Sequence, residues 1–371
     1  MSGNSPWKTI SVAEAVQKQR GKEVIKLQTA AYQKNGTLPI VDQGATFICG
    51  YTDNNSARYP YELPVIIFGD HTRILKYVDF PFAIGADGTQ CLRPTEDFDP
   101  RYFYYALDAL ALPSEGYARH FKLLKERHIP VPTLNEQRQI AQVLLSVDRS
   151  ITAANDVLGQ TREARTHQLE CLMALPGSMR PLKDVCRLSG GNGFPIKYQG
   201  KREGRYPFAK VSDMNRPGNE IELKSAENYV GREEVDLLRL KVFPPGTTFF
   251  PKVGATLLTN KRRISAREII VDNNVMAAEA TGIDPWFLFY AFNTIDMADY
   301  VQPGAVPSVN QGTIGQIMIP VPSLQIQQRY VGVMRDFDRA IQSQAGAVGR
   351  LTRTKNALKG DLFSGRVRVT E

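Results

Sequence analysis

Two stretches of this chain are the same sentence written twice. Ile129–Ile151 reads IPVPTLNEQRQIAQVLLSVDRSI, and Ile319–Ile341 reads IPVPSLQIQQRYVGVMRDFDRAI. The offset is 190 without a gap, and 10 of 23 positions are identical, far above chance. A repeat of this kind fixes the organisation of a chain before any single residue is interpreted. The shared I-P-V-P enters as extended backbone, because two prolines in four residues exclude helix. Thr133 or Ser323 follows as a candidate N-cap, with Asn135 an alternative in the first copy.

After each such segment an apolar seam advances in steps of four and three. It runs Ile140, Leu144, Val147, Ile151, Ala154, Leu158, Thr161 in the first copy and Tyr330, Met334, Phe337, Ile341, Gln344, Val348, Leu351 in the second. That period marks a helix packed on another helix, as in a coiled coil. Each helix is predicted at about 40 residues, or about 60 Å. The simplest partner for each is the other, antiparallel if a pseudo-twofold relates the halves.

The predicted fold is therefore α+β: two mixed α/β domains separated by two long antiparallel helices. We segment it as domain 1 over 1–134, helical region 1 over 135–179, domain 2 over 180–318 and helical region 2 over 319–371. Short apolar runs between Gly, Pro, Asn and Asp turns predict strands at Pro64–Phe68, Tyr77–Ile84, Thr247–Val253 and Glu268–Val271. Aromatic-rich helices are predicted at Pro100–Leu112 and Asp284–Tyr300, their rings serving the core. Two similar but non-identical domains, held apart by helices, form a calliper suited to two non-identical DNA half-sites.

Charge adds less. The 371 residues carry a net +8. Residues 1–128 are near neutral, with 15 basic and 14 acidic side chains, whereas 319–371 hold 9 basic and 4 acidic. Local clusters stand at Lys261, Arg262, Arg263, at Lys201, Arg202, Arg205, and around His120, Lys122, Lys125, Arg127 and His128. No apolar run approaches the roughly 18–20 residues of a membrane span. Residues 1–11 lack the apolar centre of a secretory leader. Cys49, Cys91, Cys171 and Cys186 form no C-x-x-C pair, so neither a disulfide framework nor a zinc ribbon is expected.

A catalytic centre is not legible. Gly200-Lys201 lacks the flanking residues of a phosphate-binding loop. Gly190, Gly191 and Gly193 run into Phe194-Pro195, which blocks the helix start a nucleotide turn needs. No Asn-Pro-Pro-aromatic tetrapeptide occurs, and Glu222-Leu223-Lys224 behind Asp213 is a triplet common by chance. His71, His120, His128 and His167 have no metal-ligand spacing; no metal and no catalytic residue is predicted.

With those residues in view, the chain resembles the specificity subunits of type I restriction–modification systems over essentially its whole length. The resemblance rests on the paired I-P-V-P-[TS]-L-x-x-Q segments, on RYPFAKVSDMN at Arg205–Asn215, and on FPKVGATLLTNKRR at Phe250–Arg263 with VDNNVM at Val271–Met276. LPIVDQGATFICGYT at Leu38–Thr52, VIIFGDHTRILKYVDFPFAIGADG at Val65–Gly88 and the terminal LFSGRVRV at Leu362–Val369 carry it further.

The resemblance implies a DNA-reading subunit, itself non-catalytic, with two target-recognition domains and two spacer helices. It would read a bipartite double-stranded target and dock two methyltransferase subunits, with restriction/translocase subunits as optional further partners. The complex would be an adenine-N6 DNA methyltransferase or type I restriction endonuclease. This chain would bind no cofactor; S-adenosylmethionine would sit in the partner methyltransferase. The expected location is the prokaryotic cytoplasm, on the nucleoid. The competing expectation is a helical adaptor that binds proteins without reading DNA.

For DNA contacts the candidates are Tyr51, Thr52, His71, Thr72 and Arg73 in the first domain, and Lys210, Ser212, Thr259, Asn260, Lys261, Arg262 and Arg263 in the second. Arg and Lys suit phosphates or guanine O6/N7, Asn suits adenine N6/N7, and hydroxyls reach backbone oxygens. Asp70 and Asp213 stand in the same turns, where they either face DNA or orient a neighbouring cation.

Overall fold

The I-P-V-P segments do what their prolines require. In the computed structural model, which describes residues 7–19, 21–113, 119–302 and 304–369, each forms a short strand that stops at a helix start. Residues 1–6, part of the segment read as lacking a leader, lie outside that description. The first helix begins at Leu134, with Thr133 Oγ1 accepting from the Glu136 N–H at 3.3 Å. The two long helices have 37 and 41 residues, Leu134–Glu170 and Leu324–Ser364. Two units divide the chain: residues 1–156 with 345–371, and the uninterrupted stretch 157–344. The unit boundaries thus fall inside both long helices rather than at their ends.

The first unit contains, in chain order, β1 (Thr9–Ser11), α1 (Val12–Ala15), β2 (Lys26–Leu27), β3 (Leu38–Val41), β4 (Gly50–Thr52), β5 (Val65–Gly69), β6 (Leu75–Val78), β7 (Ala83–Gly85), β8 (Thr89–Leu92), α2 (Pro100–Asp108), α3 (Phe121–Glu126) and β9 (His128–Pro130). Leu134–Glu170, α4, contributes its N-terminal part. One sheet has the order β2-β7-β3-β4 and a second the order β6-β5-β8. The run Tyr77–Ile84, expected as one strand, is two. Pro81 lies between β6 and β7, which join different sheets, because proline offers no ladder N–H. β5 is buried along its whole length, as a continuous apolar run should be.

The second unit holds β10 (Ser178–Pro181), α5 (Leu182–Val185), β11 (Cys186–Gly190), β12 (Tyr206–Ala209), β13 (Glu222–Leu223), β14 (Asn228–Val230), α6 (Arg232–Leu238), β15 (Thr248–Pro251), β16 (Arg263–Ser265), β17 (Ile270–Val271), β18 (Val275–Ala280), α7 (Pro285–Asn293), α8 (Gln311–Gly315), β19 (Met318–Val321) and the N-terminal part of α9 (Leu324–Ser364). The wiring of the first unit returns. β3 lies parallel to β7 and antiparallel to β4; β12 lies parallel to β17 and antiparallel to β14. β5 pairs with β6 and β8; β15 pairs with β16 and β18.

α2 and α7 are built alike. Asp99 and Asp284 each cap the helix by accepting two backbone N–H groups, and Pro100 and Pro285 follow at the first helical position, where a missing N–H costs nothing. Their rings do serve the core: Tyr102, Phe103, Tyr105, Phe287, Phe289, Tyr290 and Phe292 are all buried.

Within each unit the two long helices run antiparallel. In the first, Glu136 of α4 meets Arg368 beyond the end of α9, and Asp148 meets Lys355. In the second, Arg165 of α4 meets Asp338 of α9 and Gln168 meets Tyr330. The expected seam has two jobs rather than one. Ile140 and Leu144 are buried with Leu362, but also with Tyr102, Phe103 and Tyr105 of α2. Tyr330 and Met334 are buried against Phe287, Leu288 and Tyr290 of α7. Leu158 is buried, while Val147, Ile151, Phe337, Ile341, Val348 and Leu351 are half-buried.

Candidate nucleic-acid interface

Parallel β3 and β7 end side by side, Val41 opposite Ile84, so the residues after them share one end of their sheet. The turn after β5 joins them there. Asp70 donates its N–H to Gly88 O at 2.8 Å. Gln43 then ties all three loops: its Nε2 donates to Asp87 O at 2.8 Å, its Oε1 accepts from His71 N–H at 3.2 Å, and its main-chain carbonyl accepts Thr72 Oγ1 at 2.6 Å. Gly88 has φ +83°, a conformation that strains any other residue, and a Cβ there would sit 2.9 Å from Gln43 Nε2 and push the tying amide aside. Lys76 is buried, its ammonium donating to Asp42 O at 2.8 Å and Thr46 O at 2.6 Å. Burial lowers its pKa, with Asp42 opposing.

The second unit makes the same loop cluster with other side chains. Ala209 lies opposite Val271 at the ends of parallel β12 and β17, and Asp272 N–H donates to Ala209 O at 3.0 Å. The residue after β15, Lys252, donates its N–H to Asn274 O at 2.9 Å. This is the bond Asp70 makes to Gly88. Asp213 is buried and organises its turn, accepting Lys210 N–H and Glu227 N–H at 2.8 Å each. Burial pushes the nearby Asp272 carboxyl up, against hydrogen bonds from Asn274 and the charge of Lys210.

Of the candidate DNA residues, Tyr51 and Thr52 stand on β4 opposite Pro39 and Leu38, at the start of β3 and away from the loop cluster, and the whole set divides by exposure. Ser212, Thr72, Thr259 and Asn260 are exposed, and Tyr51, His71, Lys210 and Lys261 half-exposed. Of these, Lys210 Nζ donates to Gln199 Oε1 at 2.6 Å, and Thr259 Oγ1 to Thr256 O at 2.6 Å. Asn260 sits at φ +51° and bridges Asp296 and Met297 N–H. Thr52 is buried, its hydroxyl accepting Asn54 N–H.

One arginine, Arg262, needs correction, and two others, Arg73 and Arg263, are half-buried with bonds to backbone. Arg262 is only 2% exposed. Its guanidinium donates to Phe292 O and Ile295 O, capping the C-terminal end of α7, and lies over the Phe250 ring at 5.4 Å. Burial brings its pKa down to about 10, with Asp296 opposing. Arg263 donates from Nε and Nη2 to Met214 O, at 3.1 and 2.6 Å. Arg73 donates to Leu112 O at 2.9 Å. These side chains hold the fold together; Arg262 cannot reach a phosphate without leaving its site. Asp70 and Asp213 likewise orient backbone, since Asp70 Oδ1 accepts Phe121 N–H at 2.8 Å. Residues that sequence reasoning missed, Gln43, Lys76 and Lys252, belong to the clusters. Only the glycines and the Asp-Asn-Asn turn around them gave a signal. Among the described residues no group of three His, Cys, Asp or Glu could hold a metal ion.

What remains is a scaffold built twice, presenting rigid loops of hydrogen-bonding and cationic side chains: a duplicated recognition protein. The chain belongs to the type I restriction modification DNA specificity domain family, which matches residues 4–158 and, a second time, 178–348. It is 25% identical over 348 residues to the Escherichia coli type I restriction enzyme EcoR124I/EcoR124II specificity subunit, covering 84% of this chain and 82% of that one. It is 24% identical over 178 residues to the Methanocaldococcus jannaschii type I restriction enzyme MjaIX specificity subunit, 45% of this chain and 39% of that one. In fold it is similar to the type I S subunit from M. genitalium, with TM-score 0.65 and 16% identity over 99% of this chain and 98% of the other.

Proposed function

We propose that each unit reads one half of a split double-stranded DNA target, and that the chain docks the methyltransferase subunits that modify it. The carrying observation is the loop cluster made twice on the same wiring, with the same backbone bond at Asp70–Gly88 and Lys252–Asn274 but different side chains around it. One fold made twice with different side chains on its loops suits two different half-sites. The family supports the same reading, and the E. coli relative is by its name a specificity subunit.

The finer reading is ours. The chain is non-catalytic; two methyltransferase subunits bring S-adenosylmethionine and methylate adenine N6, and restriction/translocase subunits join that core. It works in the cytoplasm, on chromosomal DNA. No helix among the described residues is long and apolar enough to cross a membrane. The test is a map of adenine methylation in a cell carrying the partner genes, with and without this one. A bipartite motif that appears only with this gene is the expected result. Methylation that is absent, or independent of the gene, overturns the proposal.

A further inference from the structure

Besides apolar packing, each recognition domain is hydrogen-bonded to its long helix at two points that recur in both units. In the first, Gln137 Oε1 accepts the N–H of Asp99, the cap of α2, at 2.8 Å, and Asp148 Oδ2 accepts Tyr105 Oη at 2.7 Å. In the second, Gln327 Oε1 accepts Asp284 N–H at 2.8 Å, and Asp338 Oδ2 accepts Tyr290 Oη at 2.7 Å. Both pairs of anchors are separated by 11 residues on the long helix and by 6 on the domain helix. These bonds give direction to the apolar packing of α2 and α7 on the long helices, which by itself fixes no single angle; in the first unit Lys359 Nζ adds another tie, to Asp108 O at 3.0 Å and Asp108 Oδ2 at 2.7 Å.

The aspartate at the second point is also held from the opposing long helix. Lys355 Nζ lies 2.7 Å from Asp148 Oδ1, and Arg165 Nε lies 2.6 Å from Asp338 Oδ1. Positions 165 and 355 are themselves 190 apart, so the repeat keeps the cation as well as the carboxylate. Tyr105 and Tyr290 are buried, and burial together with the neighbouring aspartate raises both phenols well above their ordinary value. They remain donors at any working pH.

We infer that the triads Tyr105–Asp148–Lys355 and Tyr290–Asp338–Arg165 are positioning residues that fix the seat of each recognition domain on its helix pair and thereby set the accepted separation of the two half-sites. This rests on the split-target reading above. A domain reseated by a small angle on its helix pair would still read its own half-site, because the loop clusters are tied internally. It would no longer hold that half-site at one defined separation.

The experiment uses the full chain in its methyltransferase complex and a set of duplexes carrying both half-sites at the genomic separation and at one or two base pairs more or less. Tyr105→Phe and Tyr290→Phe each delete one oxygen. Each should lower the ratio of methylation rates, genomic separation over altered separation, by about tenfold, with the half-site sequences unchanged. Lys355→Met should do the same, whereas Lys355→Arg should keep the wild-type ratio, since the second unit already uses Arg165. A wild-type preference that the tyrosine and Met variants leave intact, while thermal stability falls, overturns the positioning role and leaves the split-target reading standing. A wild-type complex indifferent to separation overturns both.

Discussion

Arg368 and Glu136, 232 positions apart, form a two-point ion pair: Nε donates to Oε1 at 2.6 Å and Nη2 to Oε2 at 3.0 Å. Trp7 Nε1 donates to the same carboxylate at 3.2 Å, and the guanidinium lies 5.0 Å from the Trp7 ring centroid. The segment after α9 is thus bound to the first turn of α4. Arg368→Ala is expected to destabilise the first unit by about 1–2 kcal/mol, because Glu136 is nearly buried while Arg368 is half-exposed and partly screened. Arg368→Lys should fall between, keeping the charge and losing the fork. Denaturant unfolding measures both.

Arg262 and Arg216 should behave oppositely. Arg262→Ala strips the end of α7 of its cap and leaves buried carbonyls unpaired, a loss of about 2–4 kcal/mol in thermal or denaturant unfolding. Folded Arg262→Ala protein should keep the wild-type salt dependence of DNA binding. Arg216, exposed in the turn after Asp213, should lower the slope of log K against log salt by about 0.9 when changed to Ala. Equal slopes for wild type and Arg216→Ala would remove that turn from the contact surface.

Gln137 and Gln327 are both buried. Gln137 Nε2 also donates to Asp97 O and Pro132 O, at 2.8 and 3.0 Å, and Gln327 Nε2 to Pro322 O at 2.8 Å. Leucine at either position leaves a cap N–H and carbonyls without partners, costing about 2–4 kcal/mol. Hydrogen exchange should localise the effect. Gln137→Leu should deprotect the start of α2 and spare α7, and Gln327→Leu the reverse.

Acid stability offers a fourth check. Burial raises the pKa of Glu279, but hydrogen bonds and charge from Lys241 and Arg187, at 2.8 and 2.9 Å, outweigh it and leave the carboxyl below its ordinary 4.5. A carboxylate with a depressed folded pKa contributes stability that is fully present above the unfolded value and lost as pH falls through the folded one. Stability should therefore drop below pH 4.5, and Glu279→Gln should flatten that drop. A titration of unfolding midpoint against pH that is identical in the two proteins would exclude the pair as its source.

The repeat made the architecture legible. Proline pairs, a seam of period 3.5 and ten identities located the starts of two helices and their length of about 40 residues, because local geometry and periodicity are written into neighbouring positions. The far ends, placed at 179 and 371, fall at Glu170 and Ser364. The candidate interface was half legible. The turns at Gly69–Arg73 and Lys210–Asp213 do follow strand ends, and Asp70 and Asp213 in them orient backbone, whereas Arg262 is the candidate cation that lies buried. Arg262 looks like a surface cation in Lys-Arg-Arg, and only the fold shows Phe292 and Ile295 waiting for its guanidinium, 30 and 33 residues away. Lys76 is hidden in the same way: nothing in its neighbours along β6 announces the carbonyls of residues 42 and 46 that its ammonium pins. The identities themselves held a message that pattern alone could not decode. Gln137 and Asp148 recur because each grips a helix cap or a tyrosine distant in sequence.

The division of the chain has a consequence for its synthesis. The second unit is one unbroken stretch, 157–344, while the first needs residues from 345 onward, including the buried Leu362 and the Arg368 that holds Glu136. On a ribosome, which releases the chain from its N-terminus, the later-made unit can close as soon as it emerges. The earlier-made one must wait, its α2 rings short of neighbours such as Leu362, until the stretch from residue 345 onward has been translated. The order of birth and the order of completion are reversed in this molecule.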